Sequence, residues 1–293
     1  MDLLVIAGPT ASGKTAMGIA AAKALNGEVI SGDSLQVYRH MNIGTAKVTP
    51  TEMDGVPHHL IDILDPSEPF SAADFKNRAV ACMADIKSRG KLPILVGGSG
   101  FYINALLADI DFDEGSTNHA RRDQLSQLSA PELHALLLPH DPDYATYNQH
   151  NPARLVRGLE FFEQTGQQLS VRIAEQKAKP SDINAKVFVL DWPRDQLYER
   201  INHRVDIMVE QGLVGEVQGL LAMGYDAGLS SLSSIGYKEV IAHLQGHCTL
   251  AQATADIKQN TRRFAKRQLT WFRNKTAAQW IKPGDINELL HHL

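Results

Sequence analysis

Two kinds of segment alternate along the first two thirds of the chain. Short, mostly apolar runs at 3–7, 28–31, 92–96 and 187–190 are bounded by Gly, Asp or Lys, and they are too short to be buried helices. They read as strands of a parallel sheet, buried on both faces. Longer segments between them carry a 3.6-residue repeat: Phe75, Ala79, Met83 and Ile86 fall on one face of a helix predicted over 71–89. That alternation builds a sheet covered by helices. At 109–179 the strand signal stops, and short amphipathic runs at 121–128, 131–138 and 152–165 are separated by Pro, Asn, Asp and Gly. After Pro193 the pattern is helical nearly to the end. The expected organisation is an α/β core of residues 1–108 and 180–293, interrupted by a small all-helical insertion at 109–179 and ending in a helical C-terminal part.

The first apolar run leads into Gly8-Pro9-Thr10-Ala11-Ser12-Gly13-Lys14-Thr15, and a helical pattern follows at once. This is a P-loop, the phosphate cradle of nucleotide-binding and ATP-binding proteins. Glycines let backbone N–H groups converge, the helix N-terminus adds its positive dipole end, Lys14 reaches the phosphates and the Thr15 hydroxyl suits a Mg2+ ion. The second run ends in Gly32-Asp33-Ser34, which places Asp33 at the carboxyl edge of the sheet beside that loop. Asp33 fits a magnesium ligand, a general base or a turn cap. The third run ends in Gly97-Gly98-Ser99-Gly100, either a tight turn or a backbone that another group approaches closely. Asp191, closing the fourth run, resembles a Walker B acid, but Trp192-Pro193 follows and favours a helix cap. His58-His59 lacks metal-ligand spacing and reads as structural or substrate-facing.

Charge changes this picture at one place only. Net charge is −4, with 43% hydrophobic and 21% charged residues, so no global basic field points to nucleic acid. Between 258 and 275, however, stand Lys258, Arg262, Arg263, Lys266, Arg267, Arg273 and Lys275 without an acid, interleaved with Phe264, Leu269, Trp271 and Phe272. The run reads as a solvated face or as a polyanion-binding helix, with Arg262, Arg263, Lys266 and Arg267 as the candidate phosphate contacts and the aromatics either packing or stacking on bases. Cys82 and Cys248 are far apart and read as reduced thiols. With no leader pattern and no apolar run of membrane-spanning length, a cytoplasmic, unanchored protein is expected.

Taken in order, the phosphate loop, Gly32-Asp33-Ser34-Leu35-Gln36-Val37-Tyr38, Gly44-Thr45-Ala46-Lys47, Val56-Pro57-His58-His59-Leu60-Ile61-Asp62, Gly97 to Tyr102, Ile235-Gly236-Tyr237-Lys238-Glu239 and Thr261 to Trp271 resemble the bacterial tRNA dimethylallyltransferases over almost the whole chain. The resemblance implies a P-loop NTPase-like fold. It also implies a reaction: the dimethylallyl group of dimethylallyl diphosphate is transferred to N6 of the adenosine 3′-adjacent to the anticodon, in tRNAs reading codons that begin with U, and diphosphate is released. Asp33 matches the family's general base, Thr10 the residue that hydrogen-bonds it, and Arg204 the arginine on the diphosphate, while Lys14 offsets leaving-group charge with Mg2+ as cofactor. Asp33, Ser34, Leu35, Gln36, Ser99, Arg121, Ala153, Arg154, Leu155, Val156 and Arg157 match positions that contact the tRNA anticodon stem-loop, Arg122 being the alternative to Arg121. Ser99 and Phe101 depart from the family's usual Thr and Leu. The expected state is a monomer with no membrane partner and no need for ATP. The alternatives are an adenylate isopentenyltransferase acting on free nucleotides and a P-loop nucleotide or small-molecule kinase.

Overall fold

A computed structural model describes residues 1–108, 119–178 and 182–293. In chain order β1 (Leu3–Ala7), α1 (Lys14–Leu25), β2 (Gly27–Ser31), α2 (Pro50–Met53), β3 (His58–His59), α3 (Ala72–Ser88), β4 (Leu92–Gly97) and α4 (Gly100–Leu107) come first. Next are α5 (His119–Ser126), α6 (Ala130–Leu137), α7 (Pro142–Tyr147), α8 (Pro152–Thr165) and α9 (Leu169–Ala178). The chain ends with β5 (Ala185–Leu190), α10 (Arg194–Glu210), α11 (Leu213–Ala222), α12 (Tyr237–Leu244), α13 (Leu250–Lys275), β6 (Gln279–Ile281) and α14 (Ile286–His291).

The six strands form one parallel sheet in the order β3-β2-β4-β1-β5-β6. Strand β1 lies between β4 and β5, every residue of it buried. Its carboxyl end is therefore walled on both sides, where α/β sheets keep their ligands. The chain after Pro193 is not helical throughout: β6 pairs with β5, Val189 opposite Trp280. A three-residue edge strand is too short to show a period of two, as is the two-residue β3. Helix α3 starts where its cap says it should, since Ser71 Oγ accepts from Asp74 N–H while the Asp74 carboxylate accepts from Ser71 N–H.

The described chain divides into two compact units, Met1–Leu107 with Ile183–Leu293 and Ala108–Asp182. The boundary anticipated between 179 and 180 lies outside the described residues, and that between 108 and 109 at their edge. In the first unit Leu4, Ile6, Met17, Ala21, Val29, Ile94 and Phe188 pack one core, and Tyr38, Met41, Val205, Val217, Tyr237 and Ile257 another. The second unit has its own core of Leu125, Leu133, Leu137, Leu155, Val156 and Leu159. No helix among the described residues is long and apolar enough to cross a membrane.

The far edge of the sheet is pinned by charge. Buried Glu28 accepts from Lys91 at 2.8 Å, His59 at 2.7 Å and Arg89 at 2.6 Å. Burial opposes its ionisation, but these hydrogen bonds win and hold its pKa at about 2 rather than 4.5. Because the folded value is depressed, the carboxylate's stabilisation is complete above pH 4.5 and is lost as pH falls through about 2. Glu28→Gln is expected to lower unfolding free energy by about 3 kcal/mol at pH 7. Denaturant titrations of both proteins across that acid range should show the difference closing as pH falls.

Candidate active site

The turn from β1 to α1 is shaped by three backbone conformations. Gly8 has φ 154°, Ala11 62° and Gly13 87°, and Gly13 is the N-cap of α1. The first-turn N–H groups of α1 have no partner within the helix and face the carboxyl end of β1. Lys14 follows the cap, its Nζ donating to Pro9 O at 2.6 Å. Behind the loop Ala11 is sunk among Leu197, Ile201 and Ala265.

Beside the loop is a small cavity of about 90 Å3. Thr10, Lys14 and Thr15 come to it from the loop, Asp33 and Gln36 from the end of β2, and Arg204 from α10. The apolar part of its wall is Val29, Val48, Ile61 and Val96. Burial draws the Lys14 ammonium down to about 7; nearby Arg204 adds to this, and Asp33 opposes it. Burial also pulls Arg204 downward, against the attraction of Asp33 and Glu52. Asp33 serves as a turn cap as well, Oδ1 accepting from Leu35 N–H at 2.9 Å. Thr10 lines the same cavity without a hydrogen bond to Asp33. Its N–H is taken instead by Gln268 Oε1, at 2.9 Å.

Gln268 and Phe264, one turn apart on α13, also face the cavity. Gln268 is a buried polar residue on a stripe otherwise made of Ala253, Ile257, Ala265 and Phe272, and such an interruption is a sequence signal that marks it. Its Nε2 donates to Gly98 O at 2.8 Å. A Cβ on Gly98 would stand 2.4 Å from that nitrogen, and one on Gly100 only 2.1 Å from Trp271 Cδ1. The glycine turn after β4 is thus a close approach by α13. Phe101 packs edge-on against Trp271, ring centres 6.2 Å apart.

The segment carrying Gln36 and Thr45 is anchored from outside. Glu216 accepts from the N–H groups of Asn42, Ile43 and Gly44 and from the Tyr237 hydroxyl. Lys47 Nζ donates to Tyr38 O, Asn42 Oδ1 and Asp62 Oδ1. Inside, Gln36 Nε2 donates to the Thr45 and Ala46 carbonyls. The two histidines divide the possibilities: His59 pairs with Glu28, while His58 lines the cavity. His58 Nδ1 lies 2.9 Å from Val56 O and its buried Nε2 has no protein partner. His58 thus takes the substrate-facing alternative and His59 the structural one, whereas Thr45 has no sequence signal that marks it for the site.

Asp191 takes neither of the roles open to it in sequence. It does not line the cavity, and the N-cap of α10 is Pro193; its carboxylate lies 4.0 Å from Arg273. Among the described residues no group of three His, Cys, Asp or Glu is placed to hold a metal. The oxygen donors near Lys14 include the Thr15 hydroxyl and the Asp33 carboxylate, a set that suits magnesium only if phosphate oxygens complete its shell.

The basic run splits between two uses. Lys258 pairs with Asp206 at 2.6 Å, Arg262 donates to Asn202 Oδ1, and Arg273 lies over Trp280. Arg262 is therefore turned to α10 and not to solvent. Arg263, Lys266, Arg267 and Lys275 are exposed and, with Thr270, Trp271 and Asn274, line an open groove of about 480 Å3. In the second unit Arg121 is held by Glu163 at 2.6 Å and Arg122 by Glu160 at 2.7 Å. Leu155 and Val156 are buried in that unit's core, so of residues 153–157 only Ala153, Arg154 and Arg157 are exposed. Ser34, Leu35 and Ser99 are half-buried, Leu35 against the core that holds Tyr237.

A family model described as IPP transferase matches residues 36–275. The chain belongs to the IPP transferase family. A tRNA dimethylallyltransferase of Lachnoclostridium phytofermentans is 46% identical over 290 residues, covering 97% of this chain and 93% of that protein. One from Halalkalibacterium halodurans is 47% identical over 294 residues, covering 97% and 92%. Both alignments are long enough to take in nearly all of the chain. Among solved structures, the full-length tRNA isopentenylpyrophosphate transferase of Bacillus halodurans is 44% identical with a TM-score of 0.75, covering 99% of this chain and 93% of its own. A eukaryotic dimethylallyltransferase described as acting on tRNA is 29% identical with a TM-score of 0.85, covering 98% and 75%. The IPP transferase blocks thus acquire physical reasons. The glycines after β4 admit α13, and Gly44 leaves room for the Tyr237 ring, which a Cβ there would meet at 2.4 Å.

One expected outcome follows from the enclosed lysine. Its folded pKa lies below the ordinary 10.5, so the unfolded chain binds more protons between about pH 7 and 10.5, and stability rises with pH in that window. Below pH 7 the full penalty of the buried charge applies. Lys14→Met should therefore be more stable than wild type at pH 6, by up to about 4 kcal/mol. Melting curves at several pH values should show the advantage fading toward pH 10.

Proposed function

We propose that the protein transfers a dimethylallyl group from dimethylallyl diphosphate to N6 of the adenosine 3′-adjacent to the anticodon, in tRNAs reading U-starting codons. The observation that carries this reading is the meeting of Lys14, Arg204 and Asp33 in one cavity with an apolar wall at the end of β1. Two cations suit a diphosphate, the apolar wall suits a five-carbon chain, and the carboxylate suits an amine that must lose a proton.

In the reaction the C1–O bond of the donor breaks and a bond from adenine N6 to C1 forms. Negative charge grows on the departing diphosphate, where Lys14, Arg204 and the first-turn amides of α1 stabilise it. The N6 proton passes to the Asp33 carboxylate, which the Leu35 N–H holds in place. Thr15 would hold a magnesium ion whose charge adds to that of Lys14 on the leaving group. The target base must leave its stack to reach an enclosed cavity. Arg263, Lys266, Arg267 and Lys275 bind the RNA backbone, and Arg154 and Arg157 add contacts from the second unit. The donor carries its own leaving group, so no ATP is consumed, and one chain carrying both the phosphate loop and the basic groove supports action as a monomer on cytoplasmic tRNA.

The deciding experiment is incubation with dimethylallyl diphosphate and unmodified tRNA, followed by nucleoside mass analysis. N6-dimethylallyladenosine is expected. Turnover of free AMP with no product on tRNA would replace this reading with an adenylate isopentenyltransferase.

Asp33→Asn keeps shape and removes the base, so kcat should fall by roughly two to four decades while tRNA affinity holds. A loss confined to tRNA binding would make Asp33 a positioning group. For the groove, Arg263→Gln with Lys266→Gln should flatten the slope of log tRNA affinity against log salt by about two units. Titrations at four salt concentrations read this directly, and an unaltered slope would remove the groove from RNA binding.

A further inference from the structure

The phosphate loop is held from behind by two side chains that belong to none of its motifs. Trp192 Nε1 donates to Ser12 O at 2.9 Å, and Arg200 Nε donates to Ala11 O at 3.0 Å. The donors are stacked on each other, the guanidinium carbon of Arg200 lying 4.5 Å from the centre of the Trp192 ring. Trp192 follows β5 and Arg200 lies in the second turn of α10, so loop residues 11 and 12 are tied to a stretch nearly two hundred positions on.

A planar trans peptide points its C=O and its N–H in opposite directions. Fixing Ser12 O on the indole therefore turns Gly13 N–H away from it, toward the other side of the loop. Fixing Ala11 O sets the adjoining Ser12 N–H, which donates to Pro9 O at 3.3 Å and closes the turn. Ala11 needs such support, since its φ of 62° is one that residues with a Cβ avoid. Neither donor is there merely to fill the core, as Trp192 is half-buried and Arg200 exposed.

We propose that Trp192 and Arg200 are positioning residues of the donor site. By closing the turn through peptide unit 11–12 and fixing unit 12–13 so that Gly13 N–H faces the cradle, they aim the loop at the diphosphate and set donor affinity without touching the donor. This rests on the reading of the loop as a diphosphate cradle.

The test uses the full-length enzyme with Trp192→Phe, which keeps ring and stacking but loses the N–H, and with Arg200→Gln and Arg200→Lys. KM for dimethylallyl diphosphate and for tRNA, kcat, and inhibition by inorganic diphosphate are measured for each. The expected result for Trp192→Phe is a rise of about tenfold in donor KM and in the inhibition constant of diphosphate, the loss of one well-made hydrogen bond. tRNA KM should stay within about twofold, and Arg200→Lys should recover part of what Arg200→Gln loses. Folded variants whose donor KM and diphosphate inhibition match wild type would overturn the proposal. So would equal losses toward donor and tRNA accompanied by a lowered melting midpoint, the pattern of a purely structural role. A wild-type enzyme indifferent to both donor and diphosphate would instead remove the donor reading, and this role with it.

Discussion

Lys14 and Arg204 share one small cavity with the carboxylate of Asp33, and burial works against both positive charges. Charge withdrawn from water is expensive unless it is matched, and within the cavity lining Asp33 stands against two cations while Glu52 draws on Arg204 from outside it. Three elements meet to create this imbalance: the first turn of α1, the end of β2 and the middle of α10. The sheet order brings the first two together, because β4 alone separates β1 from β2. A polyanion entering such a cavity would offset the excess charge, and in a partly buried site each favourable contact counts for more than it would in open solvent.

The second dependence is geometric. Gln268 spans from the N–H of Thr10 to the carbonyl of Gly98, joining the phosphate loop after β1 to the glycine turn after β4. Both of its polar ends are satisfied, which is the condition under which a buried amide fixes a structure. The turn accommodates this only because residues 98 and 100 have no side chain where the glutamine amide and the Trp271 ring lie.

The parts of this arrangement that were legible in sequence are those with local causes. Short apolar stretches marked β1, β2, β4 and β5, and the repeat of Phe75, Ala79, Met83 and Ile86 marked α3. The phosphate loop announced itself through glycine spacing and Lys14. Strands β3 and β6 were illegible because two or three residues at a sheet edge have no measurable period, and their existence is decided by partners far along the chain. The division of the basic run was hidden for a related reason. Nothing within residues 258–275 tells that Asp206 and Asn202, on another helix, draw Lys258 and Arg262 inward. Likewise Arg121 and Arg122 look like available cations until Glu163 and Glu160 are brought against them. Trp192 carried no signal at all, since the indole N–H finds its acceptor in a loop at the opposite end of the chain.

Helix α13 shows one face to the open basic groove and, through Gln268 and Phe264, another to the cavity beside Lys14. It is a single unbroken rod of 26 residues, about 39 Å long. Rods of this kind do not bend one face without moving the other. If occupation of the groove shifts the helix by even a fraction of an ångström, the Thr10 amide and the Gly98 carbonyl feel the shift, and by thermodynamic reciprocity a ligand on the loop alters the groove's affinity by the same factor. Order of arrival and strength of grip would then be properties of one element, written into the placing of a buried glutamine on one face and cations within two turns of it on another.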